Sequence, residues 1–268
     1  MNKDEIEFTK MNATGNDFIV IDNRNSKLVA GDVELWKRLC SLKSGIGADG
    51  VLLLENSAKA DFRMRYINAD GGEVEMCGNG GRAITAFAHE LFDAKKSSYL
   101  FETMNGVYEC SIDTQHGFRL KMTELYDQNK IQLDFLNLKN KNSMYLNTGV
   151  PHCVFEVENI LEYPVFLEGK SIRYNPKFEK GTNVNFFEVV SSKYLRVRTY
   201  ERGVENETLS CGTGVTATAI AAAQFYQWSD EVVLEALGGR LAVQFNSSFS
   251  EVYLCGKVEK IFTGKIFH

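Results

Sequence analysis

Along most of the 268-residue chain, apolar and polar positions alternate or apolar residues run together in short blocks, and both patterns belong to strands. Residues 6–11 and 17–22 read as a strand pair joined by the turn 12–16, where Gly15 supplies the turn geometry and the Asn16 amide can face a ligand. Further strands are expected at 51–55, 62–68, 99–103, 107–112 and 118–122, then at 144–146, 153–157, 232–236, 240–245 and 252–254. Three stretches keep helical spacing instead. DVELWKRLCSL opens on Asp32 as N-cap and lines up Val33, Leu35, Trp36, Leu39 and Leu42 on one face. Helices over 81–93 and 215–226 come later, and the second, VTATAIAAAQFY, is small or apolar nearly all round, so it must be enclosed.

Two stretches share one skeleton: Glu, three residues, Cys, Gly, any residue, Gly. Residues 73–83 read EVEMCGNGGRA and residues 207–214 read ETLSCGTG. The offset is 211 − 77 = 134, half the chain, and at the same offset Thr14-Gly15 answers to Thr148-Gly149, Gly47 to Gly181, Tyr66 to Tyr200 and Ala83 to Ala217. A period this long means a duplicated domain rather than a solenoid. The expected fold is α+β, with two pseudo-symmetric domains, each a curved, mostly antiparallel sheet wrapped round one central helix. The first copy covers 1–125 and the second 135–258; residues 259–268 have no counterpart, and 260–267 is expected to cross back to the first copy. Related halves usually pack about a pseudo-twofold axis, which would let Cys77 and Cys211 face each other across a shared cleft.

Composition narrows the function classes. With 44% hydrophobic and 24% charged residues the chain is ordinary globular material, long enough to bury a core in each half. A net charge of −5 and a pI near 5.5 provide no basic stripe for a phosphate backbone, so no nucleic acid partner is expected. No apolar run approaches the roughly eighteen residues of a membrane span, and MNKDEIEFTK lacks the apolar core of a signal peptide, so a cytoplasmic protein is expected. Six cysteines without CxxC spacing fit a reducing compartment, with Cys40, Cys110, Cys153 and Cys255 as buried, inert thiols on helical or strand patterns.

Cys77 and Cys211 carry the chemistry. A thiol just ahead of a helix points at unpaired backbone N–H groups and the positive end of the dipole, and both favour thiolate. The dipole contributes about 0.3–1 kcal/mol, or about 2 when partly buried, so it moves a thiol pKa only about a unit. Other partners are needed, and His152 and Glu201, beside the repeat anchors, are the candidates for tuning the thiols. Two equivalent acid/base groups suit the inversion of a stereocentre, one taking a proton from one face while the other delivers a proton to the opposite face. The N–H groups of Gly78-Asn79 and Gly212-Thr213 would hold the α-carboxylate and stabilise the carbanion. The scheme needs neither a metal nor pyridoxal phosphate.

The runs KMNATGNDF, NADGGEVEMCGNGGRA, NTGVPHCV, GTNVNFF and YERGVENETLSCGTG, in order along essentially the whole chain, resemble diaminopimelate epimerase. This isomerase family interconverts LL- and meso-diaminopimelate for lysine and peptidoglycan synthesis. Its most specific motifs here are GNDF, CGNG, and YERG followed by CGTG. The resemblance implies that Cys77 and Cys211 are the acid/base pair, with Gly78, Asn79, Gly212 and Thr213 at the reacting centre. It also implies that Asn16, Asn68, Asn183, Glu201 and Arg202 hold the substrate, chiefly its distal amino acid end, and that His152 and Glu201 tune the thiols. An amide oxygen, a carboxylate and an Arg fork suit a distal ammonium and carboxylate. Two positions depart from the family pattern: Gly50 stands where Gln is common and Val150 where Asn is common. The loop from Glu201 to Cys211 is also one residue longer.

Other readings compete. A cofactor-independent racemase or epimerase of the proline, hydroxyproline or histidine type would share the scaffold, although Leu209-Ser210 stands where proline racemases usually carry Ser-Pro. A nucleotide-binding module is disfavoured because neither glycine turn carries the GK[ST] of a P-loop. A non-catalytic relative is disfavoured because both cysteines are present. A small-molecule amino acid substrate and possible pairing of two chains complete the expectations.

Overall fold

The computed structural model describes residues 5–128, 130–136 and 142–267. Its contacts divide the chain into two compact units, 1–120 with 256–268, and 121–255. The repeat put these boundaries at 125 and 258. The chain changes units earlier because Leu120 pairs with Cys110 and packs beside Gly81, whereas the N–H of Met122 already donates to Val252 O.

Unit 1 runs β1 (Glu5–Ala13), β2 (Asn16–Asp22), α1 (Val33–Cys40), β3 (Gly50–Glu55), β4 (Phe62–Asn68), β5 (Glu73–Val74), α2 (Gly78–Leu91), β6 (Ser98–Thr103), β7 (Gly106–Asp113) and β8 (Gly117–Lys121). Its pairings are antiparallel apart from β2–β3 and β4–β6, which are parallel because a helix lies between their strands. The sheet is covered on both faces, which explains continuous apolar runs such as VLLL. Ile19, Ile21, Val51, Leu53 and Ile67 pack on Leu35, Trp36 and Leu39 of α1. On the other face α2 lies so close that a Cβ on Gly80 would sit 3.3 Å from Leu52 Cδ2 and 3.4 Å from Met64 Cε.

Unit 2 repeats this sequence of elements as β9 (Ser143–Asn147), β10 (Pro151–Glu156), α3 (Val165–Arg173), β11 (Asn183–Ser191), β12 (Tyr194–Glu201), β13 (Asn206–Thr208), α4 (Gly212–Tyr226), β14 (Asp230–Ala236), β15 (Gly239–Phe245) and β16 (Val252–Gly256). Pairing senses repeat as well, with β10–β11 and β12–β14 parallel. Cys153, Phe155, Val184 and Phe186 form one core with Val165 and Ile172 of α3, while Leu146, Val154, Phe187 and Val197 form another round α4. The chain then returns to unit 1 as β17 (Glu259–Phe267), antiparallel to β1 from Glu5↔Phe267 to Asn12↔Glu259, the crossing back that its lack of a counterpart suggested.

Several local expectations differ. α2 and α4 begin at Gly78 and Gly212, three residues before the expected 81 and 215, because close packing outweighs the low helix propensity of their glycines. Leu42 lies beyond the end of α1 and is 90% exposed, although Asp32 does cap the helix by accepting from the N–H of Leu35. Helix α3 and strands β5, β11, β12 and β13 were not anticipated.

The ladders also correct the internal alignment. Phe18 faces Gly50 and His152 faces Asn183, so the first pair of equivalents is 152 − 18 = 134 apart and the second 183 − 50 = 133. Leu52 faces Tyr66, and its counterpart Asn185 faces Thr199. Thr199, not Tyr200, therefore occupies the place of Tyr66, and Glu201 that of Asn68. One residue is lost near Thr182 and regained in the loop after Glu201. A one-residue slip turns every side chain to the other face of a strand.

Candidate active site

In unit 1, Cys77 occupies the N-cap of α2 with extended backbone (φ −132°, ψ 124°) and no side-chain capping bond. The first intrahelical bond runs from Gly81 N to Cys77 O, 2.8 Å, so the N–H groups of Gly78, Asn79 and Gly80 precede the helical ladder. Beside this turn runs a directional chain of hydrogen bonds. Arg82 Nη2 donates to Asn79 Oδ1 (2.6 Å), Asn79 Nδ2 to Asn16 Oδ1 (2.5 Å), and Asn16 Nδ2 to Asp49 Oδ2 (3.0 Å). A cation at one end and a carboxylate at the other orient both amides, whose nitrogens each keep a second N–H for an anion. Arg82 is fully buried and also donates to Thr14 Oγ1 (3.3 Å), a turn residue held at φ +56°. Asn68 is bonded elsewhere: its Oδ1 accepts from Tyr66 Oη at 2.8 Å.

In unit 2, Cys211 is the N-cap of α4 (φ −117°, ψ 106°), 6% exposed, with Thr213 Oγ1 3.5 Å from its Sγ. Thr148, from the equivalent of the Thr14 turn, donates to Thr213 O at 3.0 Å and fixes this first turn. Asn183 Oδ1 accepts from Arg202 N (2.8 Å), and Asn183 Nδ2 donates to Pro151 O (3.1 Å). Glu201 Oε2 accepts from Thr208 Oγ1 (2.9 Å), and Arg202 Nη1 donates to Lys180 O (3.1 Å). His152 is fully buried opposite Asn183, its Nδ1 3.0 Å from Asn185 Nδ2. Burial, reinforced by the Arg202 charge, pushes its pKa down to about 3, so the ring is neutral at physiological pH.

The structure thus joins Asn16 to Asn79 in unit 1 and Asn183 to Arg202, and Cys211 to Thr213, in unit 2. Sequence reasoning missed Asp49, Tyr66, Arg82 and Asn185. Arg82 was the most detectable, a charge on an otherwise small and apolar helix; Asn185 shares a strand face with Asn183 at spacing two. Of the remaining thiols, burial pushes Cys40 up to about 11 and Cys110 up to about 12, and raises Cys153 further, so these three stay protonated. Among the described residues no His, Cys, Asp and Glu are grouped to hold a metal, and no helix is long and apolar enough to cross a membrane.

The sequence matches the family model described as diaminopimelate epimerase, once over residues 8–126 and again over 144–261. The chain belongs to the diaminopimelate epimerase family. That makes it an isomerase, and the two matches fall one on each copy of the repeat. A diaminopimelate epimerase of Flavobacterium psychrophilum is 41% identical over 258 residues, covering 94% of this chain and 97% of its own. One from Aquifex aeolicus is 37% identical over 275 residues, covering 97% and 98%. Among solved structures, a phenazine biosynthesis protein of the PhzF family from Bacillus anthracis is 17% identical with a TM-score of 0.76, covering 99% of this chain and 100% of its own. A hydroxyproline epimerase from Agrobacterium vitis, solved with trans-4-OH-L-proline, is 13% identical with a TM-score of 0.69, covering 98% and 92%. At such identities these two share the fold.

Proposed function

We propose that this enzyme interconverts LL- and meso-diaminopimelate without a cofactor, using Cys77 and Cys211 as a two-base pair, and so serves lysine and peptidoglycan precursor synthesis. The observation that carries the reading is the duplicated placement of a thiol at the N-cap of an enclosed helix. One thiolate removes the α-proton and the other thiol delivers a proton to the opposite face; the two exchange roles in the reverse direction. The N–H groups of Gly78 and Asn79, and of Gly212 and Thr213, receive the α-carboxylate and the charge of the carbanion. His152 and Glu201 tune the thiols, and Arg82, one turn into the helix that Cys77 opens, orients the Asn79 amide beside that turn. Asn16, Asn68, Asn183, Glu201 and Arg202 hold the rest of the substrate.

The chain is proposed to act in the cytoplasm, where its six free cysteines stay reduced. Pairing of two chains is proposed too, supported by Ile261 (53% exposed), Phe262 (46%) and Phe267 (58%) along β17, and sedimentation velocity tests it.

The deciding experiment incubates LL-diaminopimelate in deuterated water with no added cofactor. Deuterium should enter the α-position with the native enzyme, and Cys77→Ala and Cys211→Ala should each abolish epimerisation. Near-normal turnover in both directions by either variant would sink the two-base scheme. Mild oxidation should lower the activity and reductant should restore it; activity unchanged by either would count against thiols as the reacting groups.

A further inference from the structure

Three side chains meet under the first turn of α4: His152, Asn185 and Thr199. Asn185 Nδ2 donates to Cys153 O at 3.0 Å, and since a carbonyl only accepts, the orientation of this amide is settled. Its second N–H points to His152 Nδ1, also at 3.0 Å, and its Oδ1 accepts from Thr199 Oγ1 at 3.0 Å. An Nδ1 that accepts leaves the ring proton on Nε2. That Nε2 is enclosed and has no hydrogen-bond partner among the described residues. A buried donor without an acceptor is costly unless something else brings the acceptor.

Unit 1 serves as an internal control. By ladder register the equivalents of His152, Asn185 and Thr199 are Phe18, Leu52 and Tyr66. There the contact is apolar, with Phe18 and Tyr66 edge to face at 5.9 Å and Leu52 beneath Gly80. The scaffold therefore stands without hydrogen bonds between the side chains at these three places, and the hydrogen-bonded set in unit 2 has another purpose. Its position suggests which: a Cβ on Gly214 would lie 2.3 Å from Asn185 Oδ1 and 3.4 Å from Cys211 Cβ. Asn185 thus lies directly beneath the turn that Cys211 opens.

We infer that Asn185 is a positioning residue for the epimerisation, locking His152 as the neutral imidazole protonated on Nε2, so that the ring offers a fixed N–H donor to an anionic group in the site. The inference rests on the reading of this helix start as half of the active site. His152 then acts as a donor rather than as a base, and Asn185 acts only through it.

The test combines nitrogen-15 histidine spectra with kinetics. The chain has four histidines, and the spectrum of His152→Gln identifies the His152 signals by their loss. At neutral pH the native enzyme should show a protonated Nε2 and an unprotonated Nδ1. Asn185→Asp should move the proton to Nδ1, because a carboxylate only accepts. Asn185→Leu, which copies the residue of the other unit, should fold and leave the ring without a fixed tautomer. In both variants kcat should fall on the order of 10²-fold with little change in KM, the lower range for a positioned acid–base group. A native Nδ1–H tautomer or an imidazolium overturns the inference, as does kcat within about threefold of native in both variants. The spectra need no substrate, so this inference and the epimerase reading fail separately; if a variant does not fold, the native spectrum still decides.

Discussion

Gly50 has no room for a side chain: a Cβ there would lie 2.5 Å from Ile67 O and 2.6 Å from Tyr66 Cε2. The Tyr66 ring fills the space that a side chain at position 50 would need, and its hydroxyl reaches Asn68. Tyr66→Phe is expected to raise KM about 2–10-fold, the worth of one hydrogen bond, with kcat near native in steady-state assays. Gly50→Gln should lower stability by about 1–3 kcal/mol in denaturant titrations through overpacking. His152 makes a pH prediction. Its pKa falls from 6.5 to about 3 on folding, so the unfolded chain binds the proton and the native ring does not. Stability from this source is complete above about pH 6.5 and is lost on acidification toward pH 3, at up to about 1.4 kcal/mol per pH unit. His152→Gln should flatten the decline in Tm between about pH 6.5 and pH 5 in calorimetry; an unchanged slope would contradict the buried neutral ring. At this scale the two cysteines were legible because Cys before a glycine turn repeats in the linear chain. Asn185 was not, since an Asn on a strand reads the same whether it faces water or a buried imidazole.

The helix starts show how packing overrides propensity. Gly81 lies where a Cβ would be 3.0 Å from Met76 Cε and 3.1 Å from Phe101 Cζ. Gly81→Ala gains about 1 kcal/mol of helix propensity but meets about 1–3 kcal/mol of overpacking, so thermal melts should show no stabilisation and a net loss. Strand periodicity and the Asp32 cap were readable because both are local. The first turns of α2 and α4 were not, because glycine-rich turns become helical only when neighbouring strands press on them. β17 was legible as an element without a counterpart, and its register on β1 places Ile266 against the unit 1 core. Deleting 259–267 should strip β1 of its edge partner, lowering the melting temperature and the soluble yield.

Taken whole, unit 2 is contiguous in sequence and holds two cores of its own, whereas unit 1 is closed by the last strand of the chain. A fragment of residues 121–255 is therefore expected to fold, giving a cooperative melt and near-ultraviolet circular dichroism, and to carry out no epimerisation because it lacks Cys77. Epimerisation by the fragment alone would contradict the requirement for both halves.

Sequence alone determined the duplication, the α+β class, most strands of the first copy and the placement of a cysteine before each glycine turn, since each is written in periodicity or in a short motif with a fixed offset. Tertiary structure decided the rest: the one-residue slip that pairs Thr199 rather than Tyr200 with Tyr66, the amide chain from Arg82 to Asp49, and the partners of His152. Those depend on which residues meet across ladders and beneath helices. Such contacts join positions tens of residues apart, and no local pattern records them.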